Sequence, residues 1–239
     1  MGRAWISVPL WLLALWLIAV ELSACTSMGS HNVQARTSID FGPPESLSFC
    51  LLVDDGITEQ AARRLLDEAW REEGALYGLT ITVADVRPWP RPAFTMQGIM
   101  ESLLRQPLRP ECDRVFALVG RHLGDVMWGL VGLPEVLGAV DDDTSTHGYA
   151  VIERASLNQM FMTPTSVVRH EIYHLLGCGE HFNMSGCYDT ITAMKRRKRL
   201  DGNDFFPAWD ALNERTIVSR EAVNARLLEV TGAGRNATD

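Results

Sequence analysis

His170, Glu171 and His174 are the residues whose types and spacing point most directly to chemistry. Thr163-Pro164 reads as a helix start, with Thr as N-cap and Pro at the first helical position, and Gly177 reads as its stop. The expected helix therefore runs to about Leu176. At about 3.6 residues per turn, Val168, Ile172, Leu175 and Leu176 share one face, while His170 and His174 stack one turn apart on the opposite face. The apolar face should pack into the domain and leave both imidazoles over a cleft. Two neutral imidazoles at this spacing can reach one Zn²⁺, with Zn–N bonds of roughly 2.0–2.1 Å. Glu171 lies one step around the helix and is expected to face the cleft. From there it can touch a zinc-bound water without occupying a coordination position. This is the logic of H-E-x-x-H: zinc lowers the pKa of its water and the carboxylate takes the proton. The competing reading is a pair of helix histidines beside a solvated Glu.

The longer string His170-Glu171-Ile172-Tyr173-His174-Leu175-Leu176-Gly177-Cys178-Gly179-Glu180-His181 resembles the metzincin superfamily of zinc peptidases. Their pattern is H-E-x-x-H-x-x-G-x-x-H, in which the Gly lets the chain turn and return a third ligand to the metal. The resemblance implies one Zn²⁺, a peptidase activity and a third ligand just past Gly177. Strict spacing puts Glu180 in that position, with a histidine one residue later. His181 is the favoured ligand, because three neutral imidazoles leave more charge on the metal to acidify water, and Glu180 is the alternative. The resemblance also implies a methionine in a tight turn beneath the metal. Met184 is too near the ligand loop, which leaves Met194, although Tyr188–Arg199 reads equally as plain helix with Met194 filling the core. The archaemetzincin branch needs a C-x-x-C that is absent here. A gluzincin reading would recruit Glu214 or Glu221 from the C-terminal helix, and Gly177 with the nearby His181 argues against it.

The elements that must position these residues alternate between strand and helix. Ser46–Val53 is an apolar strand ending in the turn signal Asp54-Asp55-Gly56. Thr58 caps a helix through about Glu73, with Ala62, Leu65, Leu66 and Ala69 on one stripe. Leu79–Val83 reads as a strand, Arg87–Pro92 as a Pro-rich loop, Phe94–Leu104 as a helix and Arg114–Gly120 as a buried strand. Val136–Val140 and Gly148–Glu153 read as short strands separated by Asp141–Thr146. Helices between the early strands imply an α+β fold, a mixed sheet carrying the active-site helix, in one metzincin-like domain over residues 46–230 with a disordered tail at 231–239.

The N-terminus sets the compartment. Arg3, the apolar run Ala4–Val20 and Leu22-Ser23-Ala24-Cys25 describe a secretory signal, too short for a comfortable membrane span. Cys25 after Leu-Ser-Ala resembles the lipobox of bacterial lipoproteins. That implies a signal peptide over 1–24, lipidation of Cys25, a polar tether over 25–45 and a membrane-anchored place in the bacterial cell envelope, facing the periplasm or the exterior. Four cysteines remain, and an even number in an oxidising compartment implies two disulfides. Cys178 and Cys187 are close in sequence and form the natural pair; Cys50–Cys112 follows by elimination.

Composition excludes other classes. A net charge of −8 gives no electrostatic reason to expect nucleic acid. The basic block Lys195–Arg199 reads as a solvated face rather than a contact for anionic lipid. His122 and His147 read as structural, and Asp141–Asp143 as a solvated turn that lacks the spaced oxygens of a calcium loop. No G-x-S-x-G occurs. Two functions remain: a zinc endopeptidase that lays extended peptides along an edge strand, Val136–Val140 or Gly148–Glu153, or a non-catalytic envelope lipoprotein that keeps zinc for structure or binds a partner. Glu171 discriminates, since a structural zinc site needs no acid beside its first ligand.

Overall fold

The run Leu47–Val53 has the residue types of a strand buried on both faces. In the computed structural model, which describes residues 36–121, 136–152, 163–179 and 184–232, it lies within β1 (Glu45–Val53), an interior strand of the sheet. β1 pairs in parallel with β2 (Leu79–Pro88) on one side and β3 (Arg114–Val119) on the other. β3 pairs in parallel with β5 (His147–Val151), and β4 (Gly138–Val140) closes the sheet as an antiparallel edge. The order is β2-β1-β3-β5-β4. Parallel neighbours need crossovers, which α1 (Glu59–Tyr77) and α2 (Met96–Leu104) supply. After β5 come α3 (Pro164–Leu175), α4 (Met184–Asp201), the ribbon β6 (Ala208–Asp210) and β7 (Arg215–Ile217), and α5 (Arg220–Thr231). The fold is α+β, with a mixed sheet.

Alternation along the strands divides the core into two layers. Leu47, Phe49, Leu51, Phe116, Leu118 and Ala150 pack with residues of α1, α3 and α4. Cys50, Leu52, Val115, Ala117, Tyr149 and Val151 pack with Ile99 and Leu103 of α2 and Val223 and Leu227 of α5. α3 and the C-terminal helix α5 therefore occupy opposite faces of the sheet.

Two elements run longer than their local signals imply. α1 continues a turn past Glu73 and through Gly74, because the Trp70 indole donates to Leu79 O at 2.9 Å and Tyr77 is wholly buried. Packing there outweighs the helix penalty of Gly. β2 extends into the expected Pro-rich loop, since Leu51, Leu52 and Val53 of β1 hold Val86, Arg87 and Pro88 in register. β2 is an edge strand, where Pro is tolerated.

The described end of the expected tether is part of the domain. Phe41 is 5% exposed and meets the rings of Tyr77 and Tyr188 edge-on, and Arg36 is paired with Glu73 at 2.8 Å. The basic block also departs from the solvated face expected of it. Lys195 is wholly buried and donates to Tyr77 O and Gly42 O, Lys198 donates to Ser46 O at 2.6 Å, and Arg199 pairs with Glu45. Burial of an ammonium is tolerable because carbonyls receive its protons. The block thus ties α4 to the segment entering β1. The signal, Cys25 and residues 26–35 lie outside the described residues, as do 233–239. No described helix is long and apolar enough to cross a membrane.

Both disulfides form. Cys50 in β1 is joined to Cys112 before β3, with Cα atoms 5.6 Å apart, and Cys178 is joined to Cys187 at 4.9 Å.

His147 is a structural histidine. Its Nε2 donates to Gln106 O and its Nδ1 accepts from Thr146, each at 2.9 Å, which fixes the neutral ring. Burial, with Arg114 nearby, pushes its pKa down to about 4 from 6.5. The unfolded chain therefore takes up this proton first as pH falls. Stability should be intact above about pH 6.5 and decline toward pH 4, by about 3 kcal/mol from this residue. Urea midpoints across that range check it; His147→Gln should flatten the decline.

Candidate metal centre

α3 forms where the local signals place it. The Thr163 hydroxyl accepts from Ser166 N at 3.2 Å, and Pro164 opens the first turn. At the other end Gly177 N donates to His174 O and Cys178 N to Tyr173 O, with Gly177 at φ +82°. A side chain at Gly177 would be strained by that φ, and its Cβ would stand 2.9 Å from the Trp209 Cβ. Arg114 completes the cap: its buried guanidinium donates to Leu175 O at 2.7 Å and to the carbonyls of Asp113, Phe206 and Pro207. A cation suits a helix C-terminus. Burial pulls Arg114 down to about 10, so it keeps its charge at neutral pH.

Val168, Ile172, Leu175 and Leu176 join the core below the helix, as the period requires. His170 and His174 are half-buried on the other side. Their Nε2 atoms face each other 3.2 Å apart, with ring planes at 72°. Tetrahedral zinc with Zn–N bonds of about 2.05 Å holds its ligand nitrogens roughly 3.3 Å apart. The pair, here within hydrogen-bond distance, therefore has the spacing of two ligands on one ion, and these two residues fit the metal.

Glu171 departs from the expected cleft-facing position. It is 4% exposed, and its carboxyl end lies against Gly138 of β4, where a Cβ on that glycine would stand 2.4 Å from Oε1. Burial pushes its pKa up to about 8. A cation beside it would favour the carboxylate again.

Behind the helix runs a buried polar network that sequence reasoning missed. Tyr173, between the two histidines, donates from its hydroxyl to Glu73 at 2.7 Å and is 2.8 Å from the Tyr77 hydroxyl. Arg36 donates to the same carboxylate, and Arg169 lies 3.8 Å from it. Burial above all holds both phenols well above their ordinary pKa. A signal existed: Leu66, Trp70, Glu73 and Tyr77 form one helical stripe, and an acid on such a stripe needs a partner.

The other sequence candidates fall into three groups. Glu180, His181 and His122 lie outside the described residues. Met194 sits inside α4, packed in the core, so a continuous helix occupies the stretch where a tight turn was one expectation. Glu214 is exposed in the β6–β7 turn, and Glu221 is exposed on α5, across the sheet from α3. The layering removes Glu221 as a ligand for the histidine pair.

The acidic turn is built rather than solvated. Asp141 is buried and accepts from the Thr144 amide and hydroxyl, while Asp143 pairs with Arg226. Among the described residues, one three-residue group has metal-ligand spacing, Cys50, Glu111 and Cys112, but its two sulfurs are bonded to each other and offer no thiolate. A cavity of about 380 Å³ lined by Arg63, Asp67, Trp70 and Ile81 lies along β2, at the opposite edge of the sheet from β4. Of the two strands proposed to receive a peptide, β4 is an edge among the described residues, and β5 lies between β3 and β4.

No family model matches the sequence, and no curated protein does. Among solved structures, the chain is similar to archaemetzincin from Methanopyrus kandleri at 15% identity and a TM-score of 0.39, covering 62% of this chain and 86% of that one. It is also similar to a chain of a chaperone–substrate complex at 15% identity and a TM-score of 0.40, covering 56% of this chain and spanning only 26% of that one. Likenesses this distant carry no function to this chain, which leaves its chemistry to be argued from its own site.

Proposed function

We propose that this chain is a zinc-dependent endopeptidase of the bacterial cell envelope, anchored through a lipid at Cys25. The observation that carries the reading is the facing His170 and His174 Nε2 pair at ligand spacing, with the Glu171 carboxyl buried one residue away. One Zn²⁺ would be held by His170, His174 and His181, with Glu180 as the alternative third ligand. Zinc so held supplies a Lewis acid that polarises a peptide carbonyl and lowers the pKa of water. Glu171, whose carboxyl rests against Gly138 at the edge of the site, would be the group that takes a proton from the attacking water and returns it to the departing amine. β4, an edge strand among the described residues, would offer main-chain hydrogen bonds to an extended substrate laid beside the helix. Arg114 and the Tyr173–Glu73 network act indirectly, holding the helix that carries all three groups.

The two disulfides suit an oxidising compartment, which supports export. Incubation of the purified, zinc-loaded protein with a peptide library and an unfolded protein tests the reading. Cleavage is expected, lost on chelation and restored by zinc. If nothing is cut under zinc-replete conditions, the peptidase reading fails and the non-catalytic zinc lipoprotein replaces it.

A further inference from the structure

We infer that Gly138 is a positioning residue: the missing side chain on edge strand β4 creates the niche that fixes where the Glu171 carboxylate stands. The inference rests on the peptidase reading for its functional meaning, but the contact itself does not. An added Cβ at Gly138 would lie 2.4 Å from Glu171 Oε1, 2.6 Å from Cδ and 2.7 Å from Cγ. Three successive atoms of one side chain, and nothing nearer, therefore occupy the space an alanine methyl would need.

The backbone does not explain the glycine. Gly138 is absent from the residues with positive φ, so any residue could adopt its conformation. Glycine within a strand costs entropy and packs nothing, and it is expected where another group approaches closely. Here the approaching group is the Glu171 side chain. The partner across the ladder is also small: Gly138 pairs with Ala150, whose side chain faces the same core layer as α3. Residues paired across an antiparallel ladder project to the same face. Gly138 and Ala150 thus place two small residues side by side on the face that carries α3, and the Glu171 side chain lies against Gly138. The other glycine of this ladder serves a different neighbour, since a Cβ at Gly148 would meet Val140 at 2.6 Å.

Two consequences follow. The strand offered to substrate and the group that handles the proton are in direct contact, so substrate register along β4 and the position of the base are set together. A methyl at Gly138 would displace the carboxylate instead of merely loosening the strand, because the three atoms nearest to it belong to that side chain.

The test is a double-mutant cycle read in two ways. In metal-free protein, Gly138→Ala should lower Tm by about 3–8 °C, the cost of overpacking a tight site. In a Glu171→Ala background the same substitution should have almost no effect, since the niche is then empty. In zinc-loaded protein, Gly138→Ala should lower kcat at least tenfold while zinc content and KM stay within about twofold, the pattern of a displaced base. An equal Tm penalty with and without the Glu171 side chain would overturn the inference, as would unchanged kcat in Gly138→Ala. If the wild type cuts no peptide, the peptidase reading is what fails, and the melting cycle alone decides the contact.

Discussion

Glu171→Gln is expected to lower peptide hydrolysis at least a hundredfold, in line with the roughly 10²–10⁴ typical of a positioned general base, while zinc content stays at the wild-type level. The amide is close to the carboxyl in size, so it fits the niche at Gly138 and leaves the core layer beneath α3 undisturbed. It cannot accept the proton of the attacking water. Because Glu171 is not a ligand, the metal should remain. Folding should also survive, since burial already favours the neutral form of this side chain in the metal-free protein, and an amide is neutral. Activity and zinc must be measured on one preparation. Loss of both together would place Glu171 among the ligands, and retention of full activity would remove it from the chemistry.

The helix that carries the candidate site was legible because its signals are local. Thr163, Pro164 and Gly177 bracket α3, and the helical period separates Val168, Ile172 and Leu175 from the two histidines without knowledge of what packs on either face. The disulfides followed from number and proximity. The resting place of Glu171 was not legible. Its burial depends on a register between two strands, Gly138 against Ala150, and on how α3 lies over that pair. No residue near Glu171 in sequence encodes either.

The buried Lys195 was misread, and the partners of Arg114 were not foreseen, for a related reason. Arg114 and Lys195 are residue types that belong on surfaces, and only the carbonyls they meet make their burial tolerable: Leu175, Phe206 and Pro207 for one, Tyr77 and Gly42 for the other. These partners lie far away in the chain. The docked segment around Phe41 was read as tether on its polar, Gly- and Pro-punctuated composition, whereas the Phe41 ring packs on Tyr77 and Tyr188, and Arg36 and the basic block add polar ties. Met194 shows the limit of carrying a pattern over from a resemblance. The helix formers around it decide its local structure, and it packs as core.

Zinc stoichiometry in the wild type and in the two histidine variants tests the central claim most directly. Zinc needs four ligands, and the helix supplies two, so either His170→Ala or His174→Ala leaves too few protein donors to hold the ion. Loss of a group that hydrogen-bonds to a ligand costs roughly 10–100-fold in affinity, and loss of a ligand should cost more than that. His181→Ala should weaken binding far more than Glu180→Ala. The wild type is expected to hold one zinc per chain and each histidine variant essentially none, with the fold retained because both imidazoles sit above the apolar face of α3 rather than in it. Stoichiometric zinc persisting in a folded His174→Ala protein would contradict the account.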